Sequence, residues 1–203
     1  AWGVAEVDVE ATAFAAGTRG AAVREVTTAI QSVLTAKDSV VHGFTAEYAM
    51  GEREVTGLEE TNLGNLVADA NLGMLRNAVG NSTVPLVSLH NAGRLTGSLG
   101  AVVEAADGSA AKRPPTGYAP SGKGFGAVSQ LDVEHALRRN RGMMSFETTP
   151  AGLKALLEHG LSGLPNGAGR FPQVGGVAVA FDPARATGDR VRSISLVNED
   201  GSF

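Results

Sequence analysis

Glycine and proline cut this chain into short pieces, and that limits its fold more than any other feature. Twenty-seven glycines and eight prolines are spread through 203 residues. They are too few and too irregular for a collagen-like or low-complexity chain, and they imply many turns between short elements. The longest apolar stretches, such as Gly175–Phe181, fall far short of the ~20 residues that cross a bilayer as a helix. A hydrophobic fraction of 43% against 19% charged is enough to build a core, which excludes bulk disorder. The length suits one domain with extensions.

Composition removes several functional classes. The net charge of −4 provides no basic field to hold a nucleic-acid backbone. With no cysteine, disulfides, thiolate catalysis and zinc–thiolate sites are all excluded, although the compartment stays open. The start, Ala1-Trp2-Gly3-Val4-Ala5-Glu6, has neither a basic nor an apolar region, so no signal peptide is expected there. At the other end, Asn198-Glu199-Asp200-Gly201-Ser202-Phe203 reads as a turn directly after an apolar strand, which normally leads into another strand. The expectation is a domain that stops short of its last strand or strands.

Periodicity places the elements between. Val23, Val26, Ile30, Val33 and Leu34 form one stripe of a helix over Ala22–Leu34. A second helix runs from Glu60 to Arg76, with Leu63, Leu66, Val67, Ala70 and Met74 at helical spacing and Thr61 or Asn62 as its cap. Pro85–His90 is a short strand ended by Asn91-Ala92-Gly93. Gly100–Ala127 shows neither period and reads as a surface loop or flexible insertion. Ser129-Gln130-Leu131-Asp132 is a capping box opening a short helix through Val133, Ala136 and Leu137. Met143–Thr148 suits a strand. Thr149 and Pro150 open a helix that Gly160 follows, with Leu153, Leu156 and Leu157 on its buried face. Val177, Val179 and Phe181 alternate as a strand, and Ile194 and Leu196 mark another beyond the Asp182–Asp189 turn region. No βαβ rhythm and no internal repeat appears, so the expected class is α+β.

The search for chemistry returns little. Neither His42, His90, His135 nor His159 forms a His-x-His or His-Glu-x-x-His pair. His159 suits the carbonyl end of its helix as a cation, while His90 precedes a turn at a strand end, a common place for ligands. No serine sits in a Gly-x-Ser-x-Gly elbow, and Gly122-Lys123-Gly124-Phe125-Gly126 lacks the following helix a phosphate loop needs. Glu59 and Glu60 open a helix, where acids are favoured by the dipole. Arg138-Arg139-Asn140-Arg141 is the one local positive cluster; it is either a solvated surface or a site for an anion or a base plane.

One string is more specific. Glu59-Glu60-Thr61-Asn62-Leu63-Gly64-Asn65-Leu66-Val67-Ala68-Asp69-Ala70 closely resembles the helix that opens the C-terminal domain of the 5′-nucleotidases, a family that includes UDP-sugar hydrolases and 2′,3′-cyclic phosphodiesterases. Three more stretches follow in the family's order: Leu89–Gly93, Leu153–Gly160 and Arg170–Gly176, with Asp182-Pro183 through Gly188–Val191 continuing the match. The resemblance covers roughly 40–200. It implies layered mixed sheets with packed helices over 41–203, an insertion at 101–127, and a linker with a connecting helix over 1–40.

The resemblance also implies a division of labour. In such enzymes an N-terminal metallophosphatase domain holds two divalent metals and hydrolyses, while the C-terminal domain binds the nucleoside part and carries it to the metals. This chain has no counterpart to the metal domain, so by itself it is expected to be inactive and to hold no cofactor. The partners implied are a nucleoside or nucleotide and the chain's own metallophosphatase domain, in a periplasmic or extracellular setting, with no nucleic acid and no membrane span. The implied substrate-binding residues are Asn91, Gly93, Arg94, Arg139 and Asn140. Asn91 takes the place of the family's loop asparagine and Gly93 keeps one glycine of its triplet, Ala92 and Arg94 replacing the others; Thr96 stands where the loop's closing arginine belongs. Arg139-Asn140-Arg141 replaces a Phe-Asn-Asn-like segment, and the second stacking aromatic would lie beyond Phe203. Stacking is worth roughly 1–3 kcal/mol per base, which Arg139 can replace in part. The alternative is a structural or interaction module that kept the fold without nucleoside recognition. A missing final strand would also leave a neighbouring strand edge open to pair with a second copy.

Overall fold

The structure, a computed structural model, describes residues 9–139 and 142–198. After a single turn, α1 (Val9–Thr12), comes the 20-residue α2 (Arg19–Asp38), capped by the Thr18 hydroxyl, which accepts from the Ala21 amide. Next are β1 (Val41–Phe44), α3 (Arg53–Thr56), α4 (Asn62–Val79) and β2 (Ser88–Asn91). A hairpin, β3 (Ala101–Glu104) and β4 (Ala110–Arg113), precedes β5 (Ala127–Ser129) and α5 (Gln130–Ala136). The chain closes with α6 (Pro150–Leu161), β6 (Pro172–Gly175), β7 (Val177–Phe181) and β8 (Val191–Leu196). The α+β expectation holds. The sheets among the described residues are antiparallel pairs, β1–β5, β2–β6, β3–β4 and β7–β8.

The β2–β6 pair sits between two cores because its residues alternate. On β6, Val174 turns toward α6 and joins Leu157, Leu161, Phe171, Val177 and Val191. Its neighbours Gln173 and Gly175 turn toward α4, whose Leu63 and Val67 pack with Ala49, Leu95 and Leu99 in the second core. Leu63, Leu157 and Leu161 are at most 2% exposed, each worth roughly 1.5–3 kcal/mol of burial. Two glycines let α4 lie close on β6. A Cβ on Gly64 would fall 2.0 Å from the Gln173 side-chain oxygen, and one on Gly175 would fall 3.0 Å from the Ala68 carbonyl.

Caps follow the sequence closely. Thr61 caps α4 by accepting from the Gly64 amide, Ser129 and Asp132 form the complete capping box of α5, and Thr149 caps α6 with Pro150 at its first position. Asn62, the other candidate cap, instead accepts from the Met50 and Leu63 amides and donates to the Tyr48 carbonyl.

Several expectations fail for identifiable reasons. On α4, Leu63 and Val67 are buried, but Leu66, Ala70 and Met74 are exposed while Ala68 and Leu72 are buried in their stead. The small residues Gly64 and Ala68 set the contact face. Gly160 lies inside α6 rather than beyond it, because Pro172 packs against it where a Cβ would stand at 2.9 Å. Met143–Thr148 is not a strand: it is exposed throughout and shares no backbone hydrogen bond with any described strand. The 101–127 insertion is not a structureless loop. It holds the β3–β4 hairpin, turned at Asp107-Gly108, and a 3-10 turn at Ala119–Ser121. Both hairpin strands are mostly exposed, so they carry no hydrophobic period; the Asp-Gly pair was the available signal. The expected turn at the C-terminus falls on 199–203, outside the described residues, as do Ala1–Asp8.

Candidate ligand-binding site

β2 ends at Asn91, and a 3-10 turn over Ala92–Arg94 redirects the chain. Two hydrogen bonds fix that turn to the approach to β6: the Ala92 amide donates to the Phe171 carbonyl at 2.9 Å and the Gly93 amide to Gly169 at 2.7 Å. Gly93 and Gly169 stand back to back, so that a Cβ on Gly93 would meet the Gly169 Cα at 3.0 Å. Ala92 points into the core at 1% exposure. The Asn91 side chain caps nothing and is exposed, leaving its amide donors and carbonyl acceptor turned to solvent.

The C-terminal end of α5 completes this edge. The Thr96 hydroxyl donates to the His135 carbonyl at 2.6 Å and accepts from the Arg138 amide at 3.2 Å. Arg94 donates to the Arg139 carbonyl at 3.3 Å, which brings the exposed Arg139 beside the turn. Four of the five expected residues, Asn91, Gly93, Arg94 and Arg139, therefore share one edge. Asn140 lies outside the described residues, as does Arg141.

Two further polar residues lie beneath this edge. His90 Nδ1 is 3.3 Å from the side-chain nitrogen of Asn71 on α4, while its Nε2 is buried with no hydrogen-bond partner. Burial, and then the positive charge of Arg94, push the His90 pKa below its ordinary value, so the ring is neutral at pH 7. Asn71 was not singled out from the sequence. Its place seven residues after Gly64, on the face α4 turns to the strands, is the only signal it had.

Among the described residues no group of three or more histidines and carboxylates is placed to hold a metal, and no helix is long and apolar enough to cross a membrane. The two divalent metals that the resemblance implies belong to the N-terminal metallophosphatase domain, and the described residues form no donor set for them. A shallow groove lies between α2 and the 119–121 turn, lined by Thr28, Gln31, Ser32, Thr35 and Ser121, and contains none of the expected site residues.

The motifs that carry the resemblance are the parts that lock together. Gln173, fully buried on β6, accepts from the Thr61 amide at 3.0 Å and donates to the Thr56 and Glu59 carbonyls at 3.0 and 2.9 Å. Glu158 on α6 accepts from the Arg190 and Val191 amides at 3.0 and 2.7 Å. The Arg190 guanidinium donates to the carbonyls of Leu161, Leu164 and Arg185.

This is a small α+β domain of helices packed on short antiparallel sheets, with a rigidly supported polar turn and no catalytic constellation among its described residues. A sequence model described as "5′-nucleotidase, C-terminal domain" matches residues 40–202. The chain belongs to that family. It is 26% identical over 159 residues to the trifunctional nucleotide phosphoesterase protein YfkN of Bacillus subtilis strain 168, a match covering 78% of this chain and 9% of that protein. A solved structure, the 5′-nucleotidase precursor from Thermus thermophilus, superposes with a TM-score of 0.67 at 26% identity, covering 92% of this chain and 31% of that one. The chain thus spans less than a third of either relative.

Proposed function

We propose that this domain binds the nucleoside or nucleotide substrate of a 5′-nucleotidase-like phosphohydrolase of nucleotide catabolism, and that hydrolysis takes place on a separate two-metal N-terminal domain. The periplasm or the extracellular space is its proposed setting. The observation that carries the reading is the Asn91 turn. It presents an uncommitted amide on a backbone fixed by the Gly93–Gly169 contact, beside the cationic Arg94 and Arg139. An amide can both donate to and accept from a base edge. A guanidinium plane can stack on a base or attract a phosphate. Family membership and the names of both relatives support the substrate class.

Calorimetric titration with adenosine, AMP and UDP-glucose tests the proposal. Saturable binding is expected, weakened about tenfold by Asn91→Ala, the loss of roughly one to two hydrogen bonds. Arg139→Ala should weaken AMP more than adenosine if the charge acts on phosphate, and both equally if the plane stacks. Absence of heat and of any thermal shift with all three compounds overturns it. Steady hydrolysis of AMP by the metal-supplemented, contaminant-free chain would overturn the separation of binding from chemistry.

A second reading, a structural or interaction module, is favoured by one observation. Arg94 already donates to the Arg139 carbonyl and so is partly committed within the domain. Binding lost in Arg94→Ala together with the fold supports that reading; binding lost with the fold intact supports the first.

A further inference from the structure

Three arginines share the edge that carries Asn91, and none of them is answered by an acid. Arg94 is half-buried in the 3-10 turn and donates to the Arg139 carbonyl, while Arg138 and Arg139 are exposed at the end of α5. Thr96 holds that end to the turn, accepting from the Arg138 amide and donating to the His135 carbonyl. The Arg138 guanidinium comes back to 3.4 Å from His135 Nδ1. The His135 ring in turn packs over Gly97, where a Cβ would stand 2.5 Å from Nε2. The three cations therefore start from one fixed backbone junction.

The charge at that junction is uncompensated. Residues 88–99 and 135–139 contain no acid. Both acids of α5 are committed elsewhere, Asp132 to Lys123 and Glu134 to Lys37, and among the described residues no ion pair engages Arg94, Arg138 or Arg139. The Arg94 charge reaches His90, where it adds to burial in pushing the pKa down. The chain as a whole is acidic, at −4, so this is a local cationic field on a molecule of the opposite sign, and such a field draws anions. Guanidinium forks match phosphate oxygens in particular. The same two segments hold no Phe, Tyr or Trp, and so offer a base no aromatic face.

We infer that this edge holds a phosphate other than the one hydrolysed: the substrate is a nucleoside carrying a second phosphate group, and Arg138 joins Arg94 and Arg139 in binding it. The inference rests on the proposed nucleotide-binding reading, in which the scissile phosphate goes to the separate metal domain and is not the partner of these cations.

Calorimetric titration of the chain with adenosine, AMP, ADP and adenosine 3′,5′-bisphosphate tests it. At least one of the two doubly phosphorylated compounds should bind about tenfold or more tightly than AMP, and which of them does so places the second phosphate on the ribose or in the phosphate chain. Arg138→Gln should remove that preference, a loss of about tenfold, and Arg138→Lys should restore part of it. Arg192→Gln, the same charge change at an exposed position of β8, should leave it intact. Saturable binding of adenosine and AMP with no preference for a second phosphate overturns the inference and leaves the nucleotide-binding reading standing. Silence with all four compounds overturns both. An equal fall with all four in Arg138→Gln marks a structural role and overturns the inference, as does an equal effect of Arg192→Gln, which would mean general attraction to charge.

Discussion

Gln173 lies opposite His90 in the β2–β6 pair, wholly buried, and its amide answers three backbone groups of the segment leading into α4. A buried amide is stable only when its partners are present, and here each carboxamide atom has one or two. That commitment makes the neighbouring Gly64 irreplaceable. Gly64→Ala puts a Cβ 2.0 Å from the Gln173 oxygen, a side chain that cannot retreat without abandoning its bonds. The expected loss is about 1–3 kcal/mol despite the gain in helix propensity. Gly73 lies in the same helix with nothing within 4 Å of the added carbon. Gly73→Ala should therefore stabilise by about 0.5–1 kcal/mol. Urea midpoints decide the matter: two shifts of the same sign would refute this account of the α4–β6 contact.

At the scale of elements, α6 and β8 are joined by a carboxylate rather than by side-chain packing alone. Glu158 takes two amides at the start of β8, and Arg190 returns three donors to carbonyls around the end of α6 and the 182–189 turn. Glu158→Ala leaves both amides buried without acceptors, a loss of about 2–4 kcal/mol. Amide exchange at Val191 should accelerate more than exchange at Val174, which lies in the other pair. Uniform acceleration would mean that Glu158 supports the whole domain rather than this junction. The elements also show which signals reach the sequence. The caps at Thr61, Ser129 and Thr149 are local, depend on residues three apart, and were legible. The faces of α2 and α4 were not, because periodicity reveals that a stripe exists but not what it meets. The Met143–Thr148 segment has strand composition without a described partner strand, and pairing is a tertiary fact.

Across the whole molecule, a buried ionic node ties α2 to the body. The Lys123 ammonium lies 3.1 Å from Asp38 and 2.6 Å from Asp132, and Ser121 and Ser129 donate to Asp38. Burial acts to raise the Asp38 pKa, but hydrogen bonds from Ser121, Ser129 and Lys123 outweigh it and hold the carboxyl below its usual value. Burial likewise acts to lower the Lys123 pKa, and Asp132 and Asp38 overcome it, so the net shift is upward. A depressed carboxyl contributes stability that is present above its unfolded pKa of about 3.9 and is lost as pH falls through the folded one. A raised ammonium contributes stability that is present below about 10.4 and is lost as pH rises through the folded value. The unfolding midpoint should therefore fall at both extremes. Lys123→Met leaves Asp38 buried without its cation, at a loss of about 3–5 kcal/mol. It should also flatten the alkaline limb; an alkaline limb unchanged in the variant would assign that fall to other groups.

The sequence by itself determined the family and the places of α4, α5, α6, β2, β7 and β8, because these rest on contiguous strings. The Glu59–Ala70 string, the Leu153–Gly160 helix and the Arg170–Gly176 turn are each legible without knowing what they touch. It also marked the Asn91 turn, through a strand followed by turn residues and through the resemblance. Only the tertiary structure decided that Gln173 and Glu158 hold those strings together, that Lys123 in a glycine-rich stretch is buried between two acids, and that α2 turns its valines outward. These are contacts between residues as much as 117 positions apart. Composition, spacing and capping describe a residue and its near neighbours; burial and polar satisfaction depend on which distant segment folds against it.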